Sequence, residues 1–127
     1  MTQTKILLVE DDAILAKVLY GKLSEAGFEV NQAFDGEVGL AMAKSGKWDL
    51  ILLDLILPKK DGFEVLAELK NDLSARSMPV IILTMLGADE DIKKGLRLGA
   101  DDYIIKAQHT IREIVEKIKN FLEKASR

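Results

Sequence analysis

Leu50-Ile51-Leu52-Leu53-Asp54 sets the architecture of the whole chain. Four consecutive apolar residues with no polar alternation predict a strand covered on both faces, the mark of a central position in a parallel sheet. Asp54 then ends the run with a charge. The stretch Leu57-Pro58-Lys59-Lys60-Asp61-Gly62 is a loop by its Pro and Gly.

Ile6-Leu7-Leu8-Val9 and Pro79-Val80-Ile81-Ile82-Leu83-Thr84 are similar runs, with Pro tolerated at a first strand position. Phe28 to Phe34 reads as a more polar strand nearer an edge, and Tyr103-Ile104-Ile105 as a short fifth strand. Between them lie helical patterns. Leu15, Val18, Leu19 and Leu23 precede a stop at Gly27; Asp35 caps a helix carrying Val38, Ala41 and Met42 and ending near Gly46. Asp61 and Glu64 sit at capping-box spacing before Phe63, Leu66 and Leu69. Asp89-Glu90-Asp91 suit a helix N-terminus, with Gly99 as its stop. Thr110 and Glu113 form a second box before Ile111, Ile114, Val115, Ile118, Phe121 and Leu122. Five β–α units in sequence predict an α/β fold: a doubly wound, five-stranded parallel sheet with helices on both faces.

Composition bounds the function. The 127 residues fit one domain spanning 1–127. Eighteen Lys and Arg against 21 Asp and Glu give a net charge of −3, which argues against direct nucleic-acid binding. The absence of Cys excludes disulfides and thiolate metal sites, and the single His109, read as a loop residue, excludes a multi-histidine centre. No apolar run reaches the roughly 18 residues of a membrane span. The expectation is a cytoplasmic domain without membrane contact. Trp48 is expected to cover the edge of the core.

Ligands of open α/β sheets bind beyond the C-terminal strand ends. Glu10, Asp11 and Asp12 follow the first strand, Asp54 the third, Thr84 ends the fourth and Lys106 follows the fifth. Clustered carboxylates repel one another, and a divalent cation relieves the conflict. Oxygen ligands without Cys or His select Mg²⁺ or Mn²⁺, and such a site suits phosphoryl transfer, with a carboxylate as nucleophile. Taken singly, Glu10 to Asp12 read equally well as helix N-terminal anions, Lys106 as a solvated lysine and Thr84 as a strand end.

Together, Val9-Glu10-Asp11-Asp12, Leu53-Asp54-Leu55-Ile56-Leu57-Pro58-Lys59-Lys60-Asp61-Gly62, Leu83-Thr84 and Gly99-Ala100-Asp101-Asp102-Tyr103-Ile104-Ile105-Lys106 resemble the signature set of the response regulator receiver domain. The resemblance covers essentially the whole chain. It implies a flavodoxin-like (βα)5 fold with strand order 2-1-3-4-5 and a phosphorylation-dependent switch rather than a turnover enzyme. By the same resemblance, Asp54 is the phosphoacceptor, Asp11 a direct Mg²⁺ ligand, Glu10 a ligand through water and Ile56 a ligand through its carbonyl. Thr84 and Lys106 contact the phosphoryl group, and Tyr103 is the aromatic that changes rotamer with Thr84. The implied donor is a phosphohistidine on a sensor histidine kinase or phosphotransfer protein.

Three features depart from the pattern. Ala107 stands where a cis proline is usual, and the loop to Thr110 is one residue longer; the Lys106–Ala107 peptide is expected to be trans. Met85 is bulky where a small residue is usual. Ile56 and Leu86, two residues beyond Asp54 and Thr84, offer no polar group to orient water, so Ile56, Met85 and Leu86 are expected to lengthen the phosphoryl lifetime. Two other functions compete: a pseudo-receiver acting only as an interaction module, and a flavin mononucleotide carrier, which the acidic Glu10-Asp11-Asp12 disfavours. An output partner is expected on the face of the fourth helix, fifth strand and fifth helix. Asp101, Asp102, Glu113 and Lys117 could add charged contacts there, although Ile92 replaces a usual cation. A monomer is expected before phosphorylation, with dimerisation open after it. An effector could follow Arg127.

Overall fold

A computed structural model describes residues 3–126. Its elements run β1 (Lys5–Val9), α1 (Ala13–Glu25), β2 (Glu29–Ala33), α2 (Gly36–Ser45), β3 (Leu50–Leu53), α3 (Gly62–Lys70), β4 (Val80–Thr84), α4 (Asp89–Arg97), β5 (Asp102–Ile105) and α5 (Ile111–Ala125). A single 3₁₀ turn, Lys106–Gln108, links β5 to α5. All strand pairs are parallel, in the order β2-β1-β3-β4-β5. The expected topology is observed, with β3 central and the polar β2 at an edge.

Strand side chains alternate between two cores, one on each face of the sheet. Leu7, Val9, Ile51, Leu53, Val80 and Ile82 face one way, against Leu40 and Ala43 of α2 and Val65, Leu66 and Leu69 of α3. Ile6, Leu8, Leu50, Leu52, Ile81 and Leu83 face the other, against Ala16, Leu19 and Leu23 of α1 and Ile114, Ile118 and Leu122 of α5. Trp48 is buried in the first cluster and donates its indole N–H to the Met42 carbonyl at 3.0 Å.

The α2 face differs from its expected stripe. Val38 and Ala41 are exposed and Met42 is only half-buried; Gly36, Gly39, Leu40 and Ala43 face inward. The physical reason is close approach: a Cβ on Gly39 would lie 2.7 Å from Val9 Cγ1. A helix face made partly of glycine leaves no hydrophobic signal in the sequence. On α1, the buried set uses Ala16 in place of Val18, which is exposed.

The expected ends of α1 and α4 hold: Gly27 and Gly99 both adopt positive φ, at 98° and 113°. Thr110 and Glu113 make both halves of a capping box. Asp61 caps α3 by accepting the Glu64 N–H at 3.1 Å, but the return half is missing. Two carboxylates meet there, and hydrogen bonding to Asp61 together with its charge raises the Glu64 pKa.

Candidate functional site

Strand register brings the site together. Val9 is level with Ala33 on one side and Leu53 on the other. The chain leaves β1 and β3 in step: Glu10 N–H donates to the Ala33 carbonyl at 3.0 Å, and Asp54 N–H to the Val9 carbonyl at 3.1 Å. Thr84 is level with Ile105, so Lys106 leaves β5 beside the same rim. Asp12 turns the chain into α1 by accepting the Ile14 and Leu15 N–H groups.

The carboxylates are held in a desolvated position. Glu10 is 1% exposed and Asp54 4%, so neither is an ordinary solvated anion. The Lys106 ammonium lies 2.9 Å from Asp54 Oδ2 and 2.6 Å from Glu10 Oε1. The contact with Asp54 is a directed hydrogen bond. At Glu10 Oε1 the ammonium is close in charge but misaligned as a donor, and that buried oxygen has no aligned hydrogen-bond partner. Glu10 Oε2 accepts the Asp12 N–H at 3.0 Å, and Asp54 Oδ1 accepts the Ile56 N–H at 3.2 Å. Burial raises the Glu10 pKa to about 7, helped by the Asp54 charge and opposed by Lys106 and the Asp12 N–H. Burial works against the Lys106 charge, but its close contacts with the Glu10 and Asp54 carboxylates prevail and raise its pKa.

Asp11 is exposed and completes the acidic set: oxygens of Glu10, Asp11 and Asp54 lie within 4.8 Å of one another. Three carboxylates against one ammonium leave an excess of two negative charges when all are ionised. Hard oxygen donors, that excess charge and the unaligned Glu10 Oε1 all fit a divalent cation.

Thr84 is fully buried at the end of β4, and its hydroxyl accepts the Leu86 N–H at 3.4 Å. Tyr103 is half-buried and donates its hydroxyl to the Leu86 carbonyl at 2.7 Å. Burial, then the charges of Asp91 and Asp54, push its pKa to about 12, so it remains a donor. Nothing in the residue types around Tyr103 marks that carbonyl as its partner. Ile56 and Met85 are exposed, at 54% and 57%, whereas Leu86 packs against the core. The Lys106–Ala107 peptide is trans, and the 3₁₀ turn takes up the longer loop. His109 follows that turn, half-buried. A separate hollow of about 460 Å³, lined by Thr4, Trp48, Met78 and Pro79, opens at the opposite ends of the strands and gathers none of these groups.

Two glycines shape the loop after Asp54. A Cβ on Gly62 would lie 2.2 Å from the Asp54 carbonyl oxygen, and one on Gly36 would lie 1.7 Å from the Lys60 carbonyl oxygen. Lys59 in the same loop has φ of 70°, in the left-handed region.

A parallel sheet in this order, with an acidic cluster and a lysine at its C-terminal rim, defines a class of signalling domain. The chain belongs to the response regulator receiver domain family, whose model matches residues 6–119. It is 43% identical over 123 residues to the transcriptional regulatory protein CiaR of Streptococcus pneumoniae, covering 97% of this chain and 53% of that protein. The chain spans about half the length of the curated relatives it matches. Among solved structures, a two-component response regulator from Clostridium difficile superposes with a TM-score of 0.89 at 30% identity, covering 98% of this chain and 100% of that one. The Mn²⁺-bound response regulator Rcp1 does so with a TM-score of 0.82 at 32% identity, covering 93% of each chain. Receiver domains of this kind are signalling switches of two-component systems and bind a divalent metal at an acidic pocket. Among the described residues, no helix is long and apolar enough to cross a membrane.

Proposed function

We propose that this domain accepts a phosphoryl group on Asp54 from a phosphohistidine of a sensor histidine kinase or phosphotransfer protein, in the presence of Mg²⁺, with Mn²⁺ as a substitute. The observation that carries this reading is the Lys106 ammonium held 2.9 Å from Asp54 beside two further carboxylates. Asp54 is the nucleophile: a carboxylate oxygen forms the new P–O bond while the P–N bond to the donor imidazole breaks. Lys106 and the Thr84 hydroxyl neutralise charge on the phosphoryl oxygens. Asp11 and Asp54 would hold the metal directly, with Glu10 acting through water and the Ile56 carbonyl completing the protein ligands. A cation held there would supply positive charge to offset the negative charge that builds as phosphoryl group and carboxylate meet. Chemistry of this kind depends on positioning and charge, which a rigid sheet rim supplies.

The domain promotes its own phosphorylation and dephosphorylation and is not a turnover enzyme. Tyr103 and Thr84, both bonded to Leu86, form the switch that relays the state of Asp54 to the α4-β5-α5 face. An output partner reads that face; the protein is a cytoplasmic monomer before phosphorylation and is able to dimerise afterwards. Residues 1–127 do not themselves bind nucleic acid, a reading supported by their net charge of −3. Ile56, Met85 and Leu86 prolong the phosphorylated state by offering water no orienting group.

Incubation with acetyl phosphate and Mg²⁺, followed by intact-mass measurement, tests the reading. One added phosphoryl group, lost in Asp54→Asn, supports it. No addition to the wild type would leave the domain an interaction module.

A further inference from the structure

The first turn of α2 touches the end of the strand that leads to Glu10 and the loop that follows Asp54 without contributing a ligand. Gly39 lies against Val9, one residue before Glu10, so closely that a Cβ would come within 2.7 Å of Val9 Cγ1. Gly36 lies against the loop after Asp54. Its N–H donates to the Pro58 carbonyl at 3.1 Å, and a Cβ there would sit 1.7 Å from the Lys60 carbonyl oxygen and 2.7 Å from its carbon. These obstacles are backbone atoms, which cannot swing aside. The other end of the loop is fixed by Gly62, whose N–H donates to the Leu55 carbonyl at 2.9 Å. Residues 56–60 are thus clamped between α3 and α2.

We propose that the first turn of α2 is a brace that sets the span between the Glu10-Asp11 end of β1 and the loop carrying Ile56, making Gly36 a positioning residue for the divalent cation. The proposal rests on the metal reading above. Asp35 belongs to the brace: its Oδ1 accepts the Val38 N–H at 2.8 Å and holds the turn in place. A side chain at position 36 pushes the loop away from β1 and widens the cation site, while Asp54 and Lys106 stay at the ends of β3 and β5. The cost therefore falls on metal affinity and not on the chemical step. Supports around a metal site commonly control its affinity in this way.

The test is Mn²⁺ titration of the whole chain, counting free ion by electron paramagnetic resonance, for wild type, Gly36→Ala, Asp35→Ala and Gly46→Ala. Gly46 is the control at the far end of α2, where a Cβ would meet Trp48 Nε1 at 2.9 Å. Gly36→Ala is expected to weaken Mn²⁺ about tenfold and Asp35→Ala about threefold, with Gly46→Ala unchanged. Labelling by acetyl phosphate in Gly36→Ala should recover the wild-type rate at saturating Mg²⁺. Unchanged affinity in folded Gly36→Ala, equal weakening in Gly46→Ala, or a labelling rate that stays low at saturation would each overturn the brace. If Gly36→Ala does not fold, Asp35→Ala decides the matter by the same criterion. A wild type that binds no Mn²⁺ would overturn the metal reading itself, a result distinct from these.

Discussion

Lys106 Nζ lies 2.9 Å from Asp54 Oδ2, across 52 residues of chain, in a position almost closed to water. Topology alone brings the two together: β3 and β5 flank β4 and end at one rim. Breaking a buried pair leaves an uncompensated charge, at a cost of about 3 kcal/mol. Lys106→Met is therefore expected to lose roughly that much stability when free of metal near pH 8. Adding Mg²⁺ should narrow the gap, as read by urea unfolding. An unchanged midpoint would show that the pair contributes nothing.

Glu10 gives the fold a pH dependence. Its carboxyl, pushed from 4.5 to about 7 mainly by burial, holds a proton in the folded state that the unfolded chain releases at lower pH. Because the folded pKa is the higher one, this contribution to stability is present at low pH and is lost as pH rises through about 7. Glu10→Gln removes the dependence. Without metal, its advantage over wild type should grow by about 2–3 kcal/mol between about pH 5 and pH 8. Parallel stability curves for the two proteins would contradict this.

Much of this was legible in the sequence, for reasons particular residues show. Leu50 to Leu53 read as a central strand because a strand buried on both faces has no polar side. Gly27, Gly99 and the Thr110–Glu113 box marked helix ends because capping chemistry is local. The Asp54–Thr84–Lys106 rim followed from topology. Less legible was whatever depends on the absence of a side chain or on backbone shape. The glycine face of α2 has no hydrophobic signature, and Lys59 gives no hint of its φ of 70°. The burial of Glu10 under Lys106 also escaped the sequence, because Glu10-Asp11-Asp12 reads equally well as solvated helix-start charge.

Lys59 adopts a backbone conformation that costs a residue with a Cβ about 1–2 kcal/mol. Its side chain is exposed, so little packing is lost on removing it. Lys59→Gly should raise stability by up to about 1 kcal/mol, the remaining gain offset by chain entropy. A loss of stability in thermal unfolding would mean that the lysine side chain contributes more than the strain removes.

The hydrogen bond from Tyr103 to the Leu86 carbonyl ties β5 to the loop after β4. Tyr103→Phe keeps the ring but loses a bond of about 1 kcal/mol. Faster amide hydrogen exchange is expected at Leu86 and Gly87, with exchange in β1 and β3 unchanged. No change at the loop would show that the ring alone holds it.

Phosphoryl lifetime should depend more on Ile56 than on Leu86, since Ile56 is exposed at the rim and Leu86 packs on the core. Ile56→Asn should speed dephosphorylation, and adding Leu86→Glu should change the rate less. Equal rates in wild type and Ile56→Asn would remove Ile56 from control of the lifetime.

Metal-dependent phosphorylation of Asp54 is tested by the intact mass of wild type and Asp54→Asn after acetyl phosphate treatment, with Mg²⁺ and with excess chelator. One phosphoryl group is expected on the wild type with Mg²⁺, far less with chelator, and none on Asp54→Asn. A phosphoryl group retained by Asp54→Asn, or equal labelling of the wild type with and without metal, would contradict it.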